Sequence, residues 1–193
     1  MATQTSAFIT PEEYLAIERA APSRSEYHDG QMFAMAGASR AHNLIVTNLV
    51  AEFRNRLRSR DCEVYSNDMR IQIASTGLYT YPDVVVVCGK PVLADHHADI
   101  LTNPLLIIEV LSESTKAYDH GTKFSQYRRI PSLEEYLTVS QTEMLIEQSI
   151  RQPDGSWLLR ERRPVNGNVP ISSLAIELNL ADIYDKVEID TQS

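Results

Sequence analysis

Two acids stand where apolar runs end. In "YPDVVVVCG", residues 81–89, Asp83 sits at the mouth of four valines, and in "LLIIEVLS", residues 105–112, Glu109 closes a second apolar run. Carboxylates brought together at the ends of neighbouring strands repel unless a cation or a shared proton relieves them. Hard oxygen donors of this kind suit Mg²⁺ or Mn²⁺, and the backbone carbonyl of Val110 is a candidate further ligand. An ion held by Asp83, Glu109 and Val110 would acidify a bound water and polarise a phosphoryl oxygen. Downstream, Asp119, Lys123 and Tyr127 are spaced four and four, so they share one face of a helix. Folded back on the strands, that helix would bring the Lys123 ammonium to the same pocket, there to hold water and offset charge growing on a phosphate. Asp119 would fix its rotamer. Tyr127 and Arg128, in a Tyr-Arg-Arg run echoed by "RERRP", are candidate contacts to a nucleic-acid substrate.

The elements that must position these groups are legible. "ITPEEYLAIERAA" predicts a short helix capped by Thr10, with Pro11 at its first position and Glu12 and Glu13 favouring its dipole. Asp29-Gly30 predicts a hairpin turn. "SRAHNLIVTNLVAEFRNRLRSR" predicts the longest helix, with Val46, Val50, Phe53 and Leu57 on one apolar stripe. "CEVYSNDMRIQI" alternates as a strand would, and the Asp83 and Glu109 runs are core strands separated by a loop, "GKPVLADHHADILTNP". A helix is expected from about Tyr118 to Arg129, with Gly121 weakening it. Strands are expected at "EEYLTVS", "EMLIEQSIRQ" and "SWLLRERRP", and a terminal helix or irregular flank at "SLAIELNLADIYD". The expected fold is α/β (α+β): a central mixed sheet flanked by helices, in one domain over 1–193 with 1–22 as an N-terminal helical extension.

Composition narrows the function classes. The chain has 193 residues and a net charge of -8, which argues against loose charge-driven coating of duplex nucleic acid or anionic membranes. A local basic groove stays possible. Arg54, Arg56, Arg58 and Arg60 in "RNRLRSR" have two readings: complementing a helix C-terminus, or tracking phosphates. "ADHHAD", residues 94–99, reads as a solvated loop rather than a transition-metal site. The two cysteines, Cys62 and Cys88, read as reduced, packed thiols, from which a reducing, cytoplasmic setting follows. The start has neither the basic stretch nor the apolar run of a signal peptide, and no run is long enough to span a bilayer.

Taken together, "PD" before a β-run, "EVLS" ending the next strand and "YDHGTKFSQYRRIPSLEEYL" resemble the Uma-type restriction-endonuclease family, a branch of the PD-(D/E)XK nuclease superfamily. The resemblance runs from roughly Glu26 to Val139. It implies a restriction-endonuclease-like fold and metal-dependent hydrolysis of nucleic acid. In the wider superfamily the second acid and the lysine stand two apart on one strand; here that position holds Leu111, and the resemblance implies that Lys123 takes over. It also implies an early acid, matched by Glu26 in "SEYHDG", and a histidine opening the long helix, matched by His42 in "SRAHN".

The leading expectation is a Mg²⁺-dependent endonuclease acting on DNA, as a homodimer or higher homo-oligomer, since cutting both strands takes two sites. Two alternatives use the same residues. One is a catalytically silent nuclease fold kept as a binding or assembly module; the other is a metal-dependent phosphohydrolase for a small substrate.

Overall fold

The long apolar stripe becomes α2 (Arg40–Leu57), capped by the Ser39 hydroxyl, which accepts the His42 amide at 3.0 Å. The computed structural model describes residues 8–35, 37–111 and 119–189, without the side chains of Asp119, His120 and Asn166. Within them α2 buries Ile45, Val46, Leu49, Phe53 and Leu57 against Val84, Val86, Leu106, Ile108 and Val110. Each side chain of this size moved out of water contributes about 1.5–3 kcal/mol.

Those partners lie on β6 (Val84–Cys88) and β8 (Leu106–Leu111), adjacent inner strands of a six-stranded sheet ordered β11-β10-β9-β8-β6-β3. Its other strands are β3 (Cys62–Ser66), β9 (Glu135–Ser140), β10 (Ile146–Arg151) and β11 (Trp157–Arg162). Within this sheet, among the described residues, only the β8–β9 pairing is parallel. Alternation explains the unbroken valine run: Val84 and Val86 face α2, while Val85 and Val87 join Ile107, Tyr127, Ile130 and Tyr136 on the opposite face.

A second sheet, ordered β2-β1-β5-β4-β7, comprises β1 (Ser25–His28), β2 (Gln31–Ala34), β4 (Arg70–Ile73), β5 (Leu78–Thr80) and β7 (Ile100–Leu101). The β1–β2 turn is Asp29-Gly30, with φ of 49° and 77° at the two residues, the left-handed pair that a tight hairpin requires. The predicted N-terminal helix is α1 (Pro11–Ala20), closed by a reciprocal bond pair between Thr10 and Glu13. It clamps the start of β1: Glu18 accepts the Ser25 amide at 3.0 Å, and the Tyr14 hydroxyl donates to the Ser25 carbonyl at 2.7 Å.

The structure departs from the sequence expectations at several points. "CEVYSNDMRIQI" is not one strand; a turn in which the Asp68 and Met69 amides donate to the Ser66 carbonyl sends β3 and β4 into different sheets. The loop before Glu109 contains β7 and a Leu93–Leu101 bridge, and Arg19 holds Asp95 and Asp99 at 2.6 and 2.7 Å. "SLAIELNLADIYD" folds as β13 (Ile176–Asn179), paired with β12 (Asn168–Ile171), followed by a short helix over Leu180–Ile183. The helix expected from Tyr118 begins, within the described residues, as a π-helical turn over Asp119–Lys123 and continues as α3 (Phe124–Tyr127).

The cysteine expectation is overturned. Register pairs Cys62 directly with Cys88 across β3 and β6, and the two are joined as a disulfide with Cα atoms 4.0 Å apart. The inference of a reducing compartment falls with it. A cross-link spanning 26 residues of sequence restricts the unfolded chain by about 3 kcal/mol in the loop-closure model. Urea denaturation with and without reductant should therefore differ by roughly 2–4 kcal/mol; coincident curves would show that the bridge contributes no stability.

Candidate active site

Register assembles the carboxylates. Tyr27 pairs with Tyr79, so one step along, Glu26 stands opposite Thr80, and the Thr80 hydroxyl donates to Glu26 Oε1 at 2.5 Å. In the larger sheet Val84 pairs with Ile108, which brings Asp83, one residue before β6, to the level of Glu109. Asp83 Oδ2 accepts the amide of Val110 at 2.7 Å, the peptide that directly follows Glu109. Asp83 Oδ1 meets His42 Nε2 at 2.9 Å, beneath the N-terminal end of α2.

Lys123 joins the two sheets. Its Nζ lies 3.0 Å from Glu26 Oε1 and 3.1 Å from Glu109 Oε1, and all three residues are more than nine-tenths buried. Although a π-helical turn does not keep the 100° step of an α-helix, Lys123 and Tyr127 both still reach Glu109. The Tyr127 hydroxyl donates to Glu109 Oε1 at 2.7 Å. Tyr127, a candidate substrate contact in the sequence, is instead fully buried. Arg128 is exposed next to it. The expected Asp119–Lys123 pair lies outside the described side chains.

Burial, reinforced by the Glu109 and Glu26 carboxylates, holds the Tyr127 phenol well above its ordinary pKa. Burial likewise pushes Tyr81 up to about 12, where its hydroxyl donates to Glu18 and accepts from Arg70. Above about pH 10 the unfolded chain sheds phenol protons that the folded chain keeps. These tyrosines thus contribute stability that is complete below pH 10 and is lost as pH rises further. In an alkaline titration, most tyrosinate absorbance should appear together with loss of ellipticity; full ionisation in a chain that is still folded would refute this.

Thr80, Gln141 and Thr138 also belong to the site, and sequence reasoning missed them. Gln141 Nε2 reaches the Val110 carbonyl at 3.5 Å and its Oε1 accepts from Ser39 at 2.5 Å, so the carbonyl named as a ligand already has one weak donor. Thr138 pairs in register with Glu109. The Thr138 hydroxyl and His42 Nδ1 are buried with no hydrogen-bond partner among the described residues.

The donor set is one that a hard dication would meet. Glu26 and Glu109 share the Lys123 ammonium, and Asp83 stands level with Glu109 against His42 and the Val110 amide, so three carboxylates gather from neighbouring strands. No group of three or more His, Cys, Asp or Glu side chains is arranged to hold an ion among the described residues. Mg²⁺ needs no such cage, because it keeps several waters and binds through one or two carboxylates. The residues present fit that requirement. No helix among the described residues is long and apolar enough to cross a membrane.

Comparison with known proteins gives a consistent result. Residues 11–182 match the model of the Uma2 family, described as "Putative restriction endonuclease". Two proteins of Synechocystis sp. (strain ATCC 27184 / PCC 6803 / Kazusa) are similar over 91% of the chain: uncharacterized protein slr1290 at 43% identity, covering 91% of that protein, and uncharacterized protein sll1609 at 37%, covering 99%. A crystal structure titled as a putative nuclease belonging to DUF820, from Anabaena variabilis ATCC 29413, superposes with a TM-score of 0.76. It covers 93% of this chain and 99% of its own at 17% identity, a likeness of fold.

Proposed function

Because the chain belongs to the Uma2 restriction-endonuclease family, we propose that it is a Mg²⁺-dependent endonuclease hydrolysing phosphodiester bonds in DNA. The observation that carries this reading is the meeting of Glu26 from β1, Glu109 from β8 and Lys123, with Asp83 bonded to the peptide after Glu109. Asp83, Glu109 and the Val110 carbonyl would hold the ion, which when bound would acidify a water and polarise the phosphoryl group.

The chain's own residues do the rest. Lys123 holds the attacking water and offsets charge growing on the phosphate, the work of a positioned cation in a dry site. Tyr127 and Thr80 fix the Glu109 and Glu26 carboxylates by donating to them, so neither turns away when a substrate enters. His42 orients Asp83 through Nε2 and leaves Nδ1 as an acceptor. Arg128 is exposed to meet backbone phosphates.

Supercoiled plasmid incubated with the purified protein and Mg²⁺ or Mn²⁺, beside an EDTA control, tests the proposal. Nicked or linear product that EDTA abolishes is expected. Intact plasmid with either ion would favour the binding-module reading, and hydrolysis confined to small phosphoesters would favour the third.

A further inference from the structure

We infer that the far end of α2 carries a second phosphate subsite, formed by Arg54, Arg58 and Arg60, that binds the nucleic-acid backbone remote from the carboxylates. A cavity of about 60 Å³ opens there between the last turn of α2 and β3, lined by Arg54, Leu57, Arg58, Arg60, Cys62 and Val64. A single water needs ~10–15 Å³, so the space takes a group of a few heavy atoms, a phosphate rather than a nucleoside.

The guanidinium groups are not equivalent. Arg60 is anchored, donating to the Leu174 and Ala175 carbonyls, and the Cys62–Cys88 bridge fixes the cavity floor. Arg56, one turn-position away, is neutralised by Glu52 at 3.2 Å and does not line the cavity. Arg54 and Arg58 have no carboxylate partner among the described residues. In a chain of net charge -8, α2 has one acid, Glu52, and that one is already paired. Its exposed positions Arg40, Asn43, Thr47, Ala51, Arg54 and Arg58 recur at three- and four-residue steps, a carboxylate-free line from the His42 end to the cavity. Arg40 on this line is loosely paired with Glu188 at 3.5 Å.

From His42 to Arg54 and Arg58 the helix rises about 18–24 Å, a length that B-form DNA covers in about five to seven base pairs. A duplex with one phosphate at Asp83 and Glu109 therefore presents another to the arginines, which makes this subsite a gauge of substrate length and orientation. The inference rests on nucleic acid being the substrate but does not need the site to be active.

Fluorescence anisotropy with a 30-base-pair duplex in EDTA, repeated across a salt series, separates it from cleavage. Each arginine that neutralises a phosphate contributes about one unit to the slope of log affinity against log salt. The Arg54→Ala/Arg58→Ala variant should lose one to two units of slope and about tenfold in affinity at low salt, while Arg56→Ala changes neither. Equal slopes for the double variant and wild type, an equal effect of Arg56→Ala, or no duplex binding by wild type would each overturn it. So would arginine-dependent calorimetric binding of inorganic phosphate alone with duplex affinity unchanged, since free phosphate would then be the occupant. A wild type that binds duplex through these arginines yet cleaves nothing would keep this subsite and remove the endonuclease reading.

Discussion

Exchanging Asp83 for asparagine should lower Mg²⁺-dependent plasmid cleavage by at least about 10³-fold while the chain still folds. Asparagine keeps the shape and an oxygen that can accept the Val110 amide now bonded at 2.7 Å, so the peptide after Glu109 stays where it is. What disappears is one unit of negative charge at the place where charge must be matched by a dication. Loss of the ion's Lewis-acid contribution is several kcal/mol, and about 4 kcal/mol corresponds to 10³ in rate. The new amide nitrogen then faces His42 Nε2 across the present 2.9 Å contact and donates to it once the ring carries its proton on Nδ1. Circular dichroism should therefore superimpose on wild type, and a calorimetric titration with Mn²⁺ should lose its heat. Glu109→Gln should behave alike in cleavage, although it also releases Lys123 and Tyr127. Wild-type cleavage by Asp83→Asn would mean that the nuclease activity, or its source, lies elsewhere.

Why were some of these residues legible in the sequence and others not? Asp83 and Glu109 stood out because an acid at the end of an otherwise apolar strand violates the local pattern, and patterns are read within a window of a few residues. The α2 stripe and the Asp29-Gly30 turn were visible for the same reason. Lys123 was reached by counting helical steps; the count pointed to the right neighbour even though the turn is π-helical, since a long lysine side chain tolerates the altered angle. Thr80 and Gln141 carried no such mark. A threonine ending a strand and a glutamine in a turn are ordinary, and their importance comes from partners 54 and 31 residues away. The disulfide was hidden in the same manner: neither cysteine has a local signature, and only the antiparallel register of β3 on β6 makes them neighbours. Tyr127 shows the converse case: in the sequence it reads either as a contact in a basic run or as a packing residue, and the fold turns its ring into the core.

Lys123 is where stability and chemistry are coupled most tightly, so Lys123→Met should produce the largest change in folding. Methionine fills similar space, but Glu26 and Glu109 would lose the ammonium they share while staying buried against Thr80 and Tyr127. Removing one partner of a buried ion pair costs about 3–5 kcal/mol, because the remaining charge has lost its compensation in a medium that solvates it poorly. Urea denaturation in EDTA should show a loss of that size. Neutralising Glu26 in the same chain, as Glu26→Gln/Lys123→Met, should recover part of it, because the repulsion is a pairwise quantity that a double-mutant cycle isolates. Mg²⁺ should stabilise Lys123→Met more than wild type, since a dication meets two carboxylates no longer shared with an ammonium. Yet activity should not return with stability: the cation that holds water is gone, and a fall of about 10²-fold or more is expected even at saturating Mg²⁺. If Lys123→Met instead unfolds at the wild-type urea midpoint and gains nothing from Glu26→Gln, the ammonium does not neutralise this pair, and the charge argument for the metal loses its base.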